Sequence, residues 1–159
     1  MDLSERLSSD HPPARVSNDD VDADDVAIVR DSYGRIGPRG AALTIAFFGL
    51  LSDRVPRVRK FFPPDDKDKR AVAKDLFDLV VGHLESQLNV RWVLERMGRR
   101  GLLDTITPSD VSAVGGCLLD ALAELDEAWS PATERAWSRV YDWAASAVVR
   151  GAELRRTCR

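Results

Sequence analysis

The sequence has little of what disulfide, zinc and most cofactor proteins depend on. Its 159 residues include two cysteines, Cys117 and Cys158, and two histidines, His11 and His83. Cys117 falls in an apolar helical stretch and Cys158 beside the C-terminus, so a framework disulfide is not expected and a reducing compartment is favoured. Paired-cysteine zinc motifs, phosphate loops and nucleophile elbows do not occur in the sequence. The sequence therefore predicts no catalytic residue and no set of metal ligands.

Long apolar runs and a strong excess of one charge are also missing. The nearest approach to a membrane span is Ala41 to Leu51, well short of the ~20 residues that cross a bilayer. The N-terminus is acidic, without the basic-then-apolar order of a secretion signal. A formal net charge of −3 argues against a general nucleic-acid binder. We expect a soluble cytoplasmic protein that binds neither nucleic acid nor membrane.

Helical patterning is what the sequence does contain. Apolar residues make up 44% of the chain, enough for one buried core. Residues 1–22 lack apolar periodicity and are predicted to form a disordered acidic N-terminal tail. Residues 23–156 are predicted to form one domain, and they contain no strand of useful length. The expected fold class is all-α.

Breakers and capping residues divide this domain into segments. Gly37-Pro38 ends a first amphipathic helix, and Pro63-Pro64 stops a short helical turn. Thr107-Pro108 and Ser130-Pro131 start the last two helices, because Thr and Ser cap and proline suits the first turn. The predicted segments between these signals are Ala41–Leu51, Pro56–Phe62, Asp66–Leu84 and Val90–Arg100. The last helix is predicted to turn Trp137, Tyr141, Ala144, Val148 and Gly151 inward.

The order of these segments resembles one known family. The run Met97-Gly98-Arg99-Arg100-Gly101, followed by Thr107-Pro108-Ser109-Asp110 and Ala113-Val114-Gly115, is similar to the helix F to helix G passage of bacterial globins. The resemblance, to single-domain haemoglobins and the globin domain of flavohaemoglobins, covers roughly residues 24–156. It implies a globin fold, a three-on-three sandwich of helices A, B, C, E, F, G and H. The framework matches are Phe47-Phe48, Pro56–Phe62, Leu76-Phe77, Thr107–Leu119, Ala136-Trp137 and Tyr141.

The positions that carry haem chemistry in that family hold other residues here. Gly101 stands in place of the proximal histidine, Phe48 of the distal tyrosine and Val72 of the distal glutamine. Val111 and Ala152 replace the tyrosine and glutamate that orient the proximal histidine. Because a haem ligand needs such supporting partners, loss of the whole network predicts that haem is not bound. The resemblance places the former haem pocket at Phe48, Phe62, Val72, Leu76, Met97, Gly101 and Val111.

Two functions remain open on this reading. One is a haem-free globin-like domain that acts by binding or sensing rather than by catalysis. The alternative is a haem-binding globin, for oxygen binding or nitric-oxide detoxification, with a non-standard ligand. The candidate ligands are His83, Met97, Cys117 and Lys69. For each of them a role in the core or on the solvated surface is the simpler interpretation.

Two surface features bear on partners. Arg91, Arg96, Arg99 and Arg100 form a basic patch around helix F, either a solvated face or a site for an acidic partner. Trp92, Trp129 and Trp143 are expected to be partly exposed. Trp143 is turned away from Trp137 along helix H, which predicts a homodimer or another protein contact there. The competing interpretation is a monomer with Trp143 packed against its own helix A.

Overall fold

The computed structural model describes residues 20–61, 65–101 and 107–158, and every regular element among them is helical. The side chains of residues 59–61, 66 and 69 are not described. The α-helices are α1 (Ala23–Ile36), α2 (Gly40–Arg54), α3 (Asp66–Gly82), α4 (Gln87–Arg99), α5 (Pro108–Leu125) and α6 (Pro131–Thr157). Short 3₁₀ turns cover Gly37–Arg39, Pro56–Phe61 and Leu84–Ser86. None of the described helices is both long enough and apolar enough to cross a membrane.

The predicted helix starts are confirmed by their capping bonds. The Thr107 hydroxyl accepts from the backbone N–H of Asp110 at 3.1 Å, and the Asp110 carboxylate accepts from the Thr107 N–H at 3.1 Å. This reciprocal pair satisfies two N–H groups that α5 leaves open. At the start of α6 the Ser130 hydroxyl accepts from the Thr133 N–H at 3.2 Å. Local sequence therefore fixes both starts.

Helix ends were predicted less well, because neighbouring turns add or remove residues. The helix predicted from Ala41 to Leu51 runs from Gly40 to Arg54, since the 3₁₀ turn at Gly37–Arg39 leads directly into it. The helix predicted to reach Leu84 ends at Gly82. Leu84 is fully buried all the same, because the following 3₁₀ turn holds it against the core.

Helix α6 is the centre of the packing. It packs most extensively on α4 and also on α1 and α5, while α2 packs on α5 and α3. Trp137 and Gly151 are buried on α6 as predicted, and Tyr141, Ala144 and Val148 are partly buried. The prediction missed part of the buried face, which also holds Val140, Trp143 and Ala147. A helix with neighbours on three sides buries more than one apolar stripe.

Trp143 is the residue whose predicted exposure differs most from the structure. It is 6% exposed, so the expectation that it stands on the surface is wrong. Trp129 is half-buried, and Trp92 is 58% exposed, as expected. The groove beside Trp143 is lined by Val21, Asp22 and Asp25, which lead into the start of α1. Trp143 therefore lines the same groove as Asp25 of α1.

The described chain begins with residues that are tied to α4. Val21 is 7% exposed, and its backbone N–H and carbonyl bond to the Gln87 side-chain amide at 3.0 and 2.8 Å. Asp20 forms an ion pair with Arg91. Ordered packing therefore reaches at least to Asp20, within the segment 1–22 predicted as a tail. Residues 1–19 of that predicted tail lie outside the described residues.

Candidate functional site: the predicted pocket positions

Gly101 lies just beyond the last turn of α4. Its φ is +89°, a left-handed conformation that glycine adopts without steric penalty. Its N–H donates to the Gly98 carbonyl at 3.2 Å, and the Arg100 N–H donates to the Arg96 carbonyl at the same distance. This is the pattern of a glycine that ends a helix. Gly101, which the resemblance assigned to the iron-ligand position, therefore has a structural role as the residue that ends α4.

An aromatic cluster occupies the side of α2 that faces α3. The rings of Phe47 and Phe48 have centroids 5.6 Å apart, and Phe47 meets Phe77 edge-on at 5.9 Å. Phe47 is 7% exposed, while Phe48 and Phe77 are partly buried against the core. Edge-on and tilted aromatic pairs add stabilisation beyond the area that they bury. The contacts within this cluster are therefore apolar ring contacts.

The remaining predicted pocket positions are only partly brought together. Leu76 and Met97 are half-buried and pack on the same core as Phe48. Val72 is 45% exposed, because α3 turns the neighbouring Ala73 inward instead. Phe62 lies outside the described residues. Two of the seven positions, Leu76 and Met97, therefore join Phe48 at the core.

Val111 and Ala152 are the positions that the resemblance assigned to the supports of a proximal ligand. The Tyr141 hydroxyl donates to the Val111 carbonyl, and burial raises the pKa of Tyr141 to about 12. Ala152 is 5% exposed, and a Cβ on Gly98 would overlap its backbone nitrogen. Val111 and Ala152 both line a groove of about 630 Å³ between α5 and α6. Neither side chain offers a group that could orient a ligand.

The structure describes the side chains of three of the four alternative candidate ligands, His83, Met97 and Cys117. His83 follows the end of α3 and is exposed. Cys117 is fully buried on α5, and burial raises the pKa of its thiol, which disfavours the thiolate that a metal would need. Met97 is a core side chain, and the Lys69 side chain lies outside the described residues. Among the described residues, no three His, Cys, Asp or Glu side chains are grouped as a metal site requires.

A buried network of hydrogen bonds crosses the fold near Trp137, and apart from the tryptophan no sequence pattern predicts it. The Trp137 indole donates to the Ser32 hydroxyl at 2.9 Å, and Ser32 donates to the Asp126 carboxylate at 2.6 Å. Arg35 donates two bonds to the same carboxylate, at 2.7 and 2.9 Å. These bonds hold the pKa of Asp126 at about 2, with burial acting in the opposite direction. Every side chain in this hydrogen-bond network has a partner. The network therefore links α1 to α6 and does not form a reactive site.

A charged groove of about 700 Å³ runs between residues 20–25, α4 and α6. Arg139 donates two bonds to Asp25, at 3.1 and 3.0 Å, and Arg91 pairs with Asp20 along the same groove. The Trp143 indole nitrogen is buried beside it without a hydrogen-bond partner among the described residues. Ion pairs within the chain already engage the arginines at this groove.

No protein-family model and no curated protein matches this chain.

Proposed function

We propose that this chain is a globin-like domain that does not use haem and acts as a binding or interaction module. The helix order supports the globin part of the proposal. In this proposal, α1 and α2 correspond to globin helices A and B, the Pro56–Phe61 turn corresponds to helix C, and α3 to α6 correspond to helices E to H. The central position of α6 agrees with this assignment.

Gly101 is the observation that carries the haem-free part. Its lack of a side chain removes the ligand, and its φ of +89° makes any ligating side chain at that position strained. The residue also ends α4, so the chain uses it for another purpose. A glycine with ordinary helical dihedral angles could be exchanged for histidine without backbone strain. At a φ of +89° a histidine is itself disfavoured.

The distal side supports the same conclusion. Phe47, Phe48 and Phe77 fill space with packed rings, so apolar contacts can replace those that haem supplies in globins. Val111 and Ala152 remove the polar partners on the proximal side. Ligand, distal donor and proximal support are thus all replaced by residues that pack or turn the chain.

The absorption spectrum of the purified protein tests this proposal, because a bound haem is visible directly at ~400 nm. We expect no Soret band after expression with added haem precursor, and no shift of the free haemin spectrum when haemin is titrated into the protein. A stoichiometric Soret band in either experiment would favour the haem-binding alternative. His83→Ala, Met97→Leu and Lys69→Ala would then identify the ligand.

A further inference from the structure

Helix α4 presents two large apolar side chains to solvent. Leu88 is 77% exposed and Trp92, one helical turn later, is 58% exposed. The opposite face of the helix, with Val90, Leu94 and Gly98, is buried against the rest of the fold. The fold therefore does not use Leu88 or Trp92 for its own core.

Arginines continue the same face toward the end of the helix. The Arg96 guanidinium lies over the Trp92 ring, 4.8 Å from the ring centroid, and Arg99 is exposed. The spacing 88, 92, 96 and 99 keeps these residues on one side of a helix. We define Leu88, Trp92, Arg96 and Arg99 as the α4 stripe. Its order is apolar, aromatic, basic, basic.

No carboxylate of α4 neutralises the stripe. The one acidic residue of α4, Glu95, is largely buried, and its carboxylate lies 3.9 Å from Arg150 on α6. Arg91, on the flank of the stripe, is already paired with Asp20. The α4 stripe is thus a basic surface on a chain whose formal net charge is −3.

We propose that the α4 stripe is the docking surface for an acidic protein segment that carries an apolar anchor. Leu88 and Trp92 would bury the anchor, and Arg96 and Arg99 would pair with flanking carboxylates. The Arg96 side chain already lies on the Trp92 ring, so little of its freedom is lost on binding. This inference deepens the proposed function, since it names the surface through which the module acts.

The geometry favours a protein segment over a lipid surface. A helix that lies on a membrane buries a broad apolar face. The broad apolar face of α4 is the one that packs inside this fold, and two apolar side chains remain outside. A narrow apolar surface with basic residues on one side matches a partner segment that offers one apolar side chain flanked by carboxylates.

Selection of peptides from a random display library on the full chain tests the proposal. We expect the enriched peptides to carry an aliphatic or aromatic residue flanked by two or more carboxylates.

Trp92→Ala and Arg96→Glu should each weaken binding of these peptides at least about tenfold. Leu154→Ala and Arg135→Glu, matched changes at exposed positions of α6, should leave it unchanged. Leu88→Ala provides a second variant that removes apolar contact without changing an aromatic residue.

Four results would overturn the proposal. Enriched peptides without carboxylates, or peptides that bind Trp92→Ala as well as wild type, would remove the α4 stripe as their site. Binding to vesicles of phosphatidylcholine and phosphatidylglycerol that Trp92→Ala abolishes would make a lipid surface the partner. Sedimentation that shows a dimer lost in Trp92→Ala would make it a second copy. A Soret band would contradict the haem-free function and leave the α4 stripe standing.

Discussion

Gly98 of α4 lies directly against the backbone of Val148 on α6, so closely that a Cβ at Gly98 would overlap the Val148 carbonyl oxygen. Gly151 makes the reciprocal contact, since a Cβ there would overlap the Glu95 carbonyl. Two glycines at one crossing let the helix backbones approach in a way that any side chain prevents. The Gly98 carbonyl also accepts the hydrogen bond from the Gly101 N–H, so this crossing lies directly beside the end of α4.

Gly98→Ala should therefore destabilise the protein, because backbone atoms cannot move aside as a flexible side chain can. We expect a loss of about 1–3 kcal/mol in the free energy of unfolding, the usual range for overpacking. Gly116→Ala on α5 is the control, since a Cβ there meets nothing within 4 Å. That change should be neutral or stabilising by up to ~1 kcal/mol, because alanine favours the helix. Urea unfolding of the two variants measures the difference. Equal effects would mean that the close crossing is not needed.

At Gly101 the prediction concerns the backbone. Replacement by alanine or histidine should each lower stability by about 1–3 kcal/mol, because φ is +89° there. Asparagine tolerates this conformation better, so Gly101→Asn should cost less. Thermal melts check the ranking, and absorption spectra of the histidine variant should show no Soret band. A coloured, stable Gly101→His protein would mean that the pocket is open and that the backbone adjusts.

The two buried tryptophans of α6 should respond differently to the same change. Trp137 donates to Ser32 at 2.9 Å, whereas the Trp143 indole nitrogen has no partner among the described residues. Trp137→Phe loses a hydrogen bond, but Trp143→Phe removes a buried donor that is already unpaired. We expect Trp137→Phe to cost about 1–3 kcal/mol more than Trp143→Phe. If Trp143→Phe proves the more harmful change, the indole has a partner in solution.

Acid should weaken the link between Asp126 and α1. The folded pKa of Asp126, about 2, lies below its ordinary value of 3.8, because Arg35 and Ser32 favour the carboxylate. The unfolded chain therefore binds the proton more tightly, and the stabilisation present above pH 3.8 is lost as the pH falls toward 2. Asp126→Asn should cost about 2 kcal/mol near neutral pH, as expected for bonds to a charged group. The difference from wild type should shrink in acid. Asp53→Asn, an exposed site, is the control, and a constant difference at all pH values would contradict this account.

Interactions between residues close together in the sequence were predicted better than interactions between residues far apart. Thr107 and Ser130 lie within three residues of the groups that they cap, so sequence was enough to place them. The Ser32–Asp126 bond joins residues 94 apart, and no periodicity reveals such a pairing. Likewise, the burial of Trp143 depends on which helices surround α6, and Val72 was assigned by resemblance rather than by its face on α3. Of the α4 stripe, sequence reasoning found the arginines and an exposed Trp92, but not Leu88, because the exposure of Leu88 depends on the tertiary fold.

Scanning calorimetry of protein made in haem-free medium, with and without haemin, tests the central claim most directly. A domain that has replaced haem by its own side chains should show a single cooperative melting transition without the cofactor. Haemin should leave that transition unchanged, because a ligand that does not bind the folded state cannot stabilise it. A broad or absent transition that haemin sharpens and moves to higher temperature would contradict the claim.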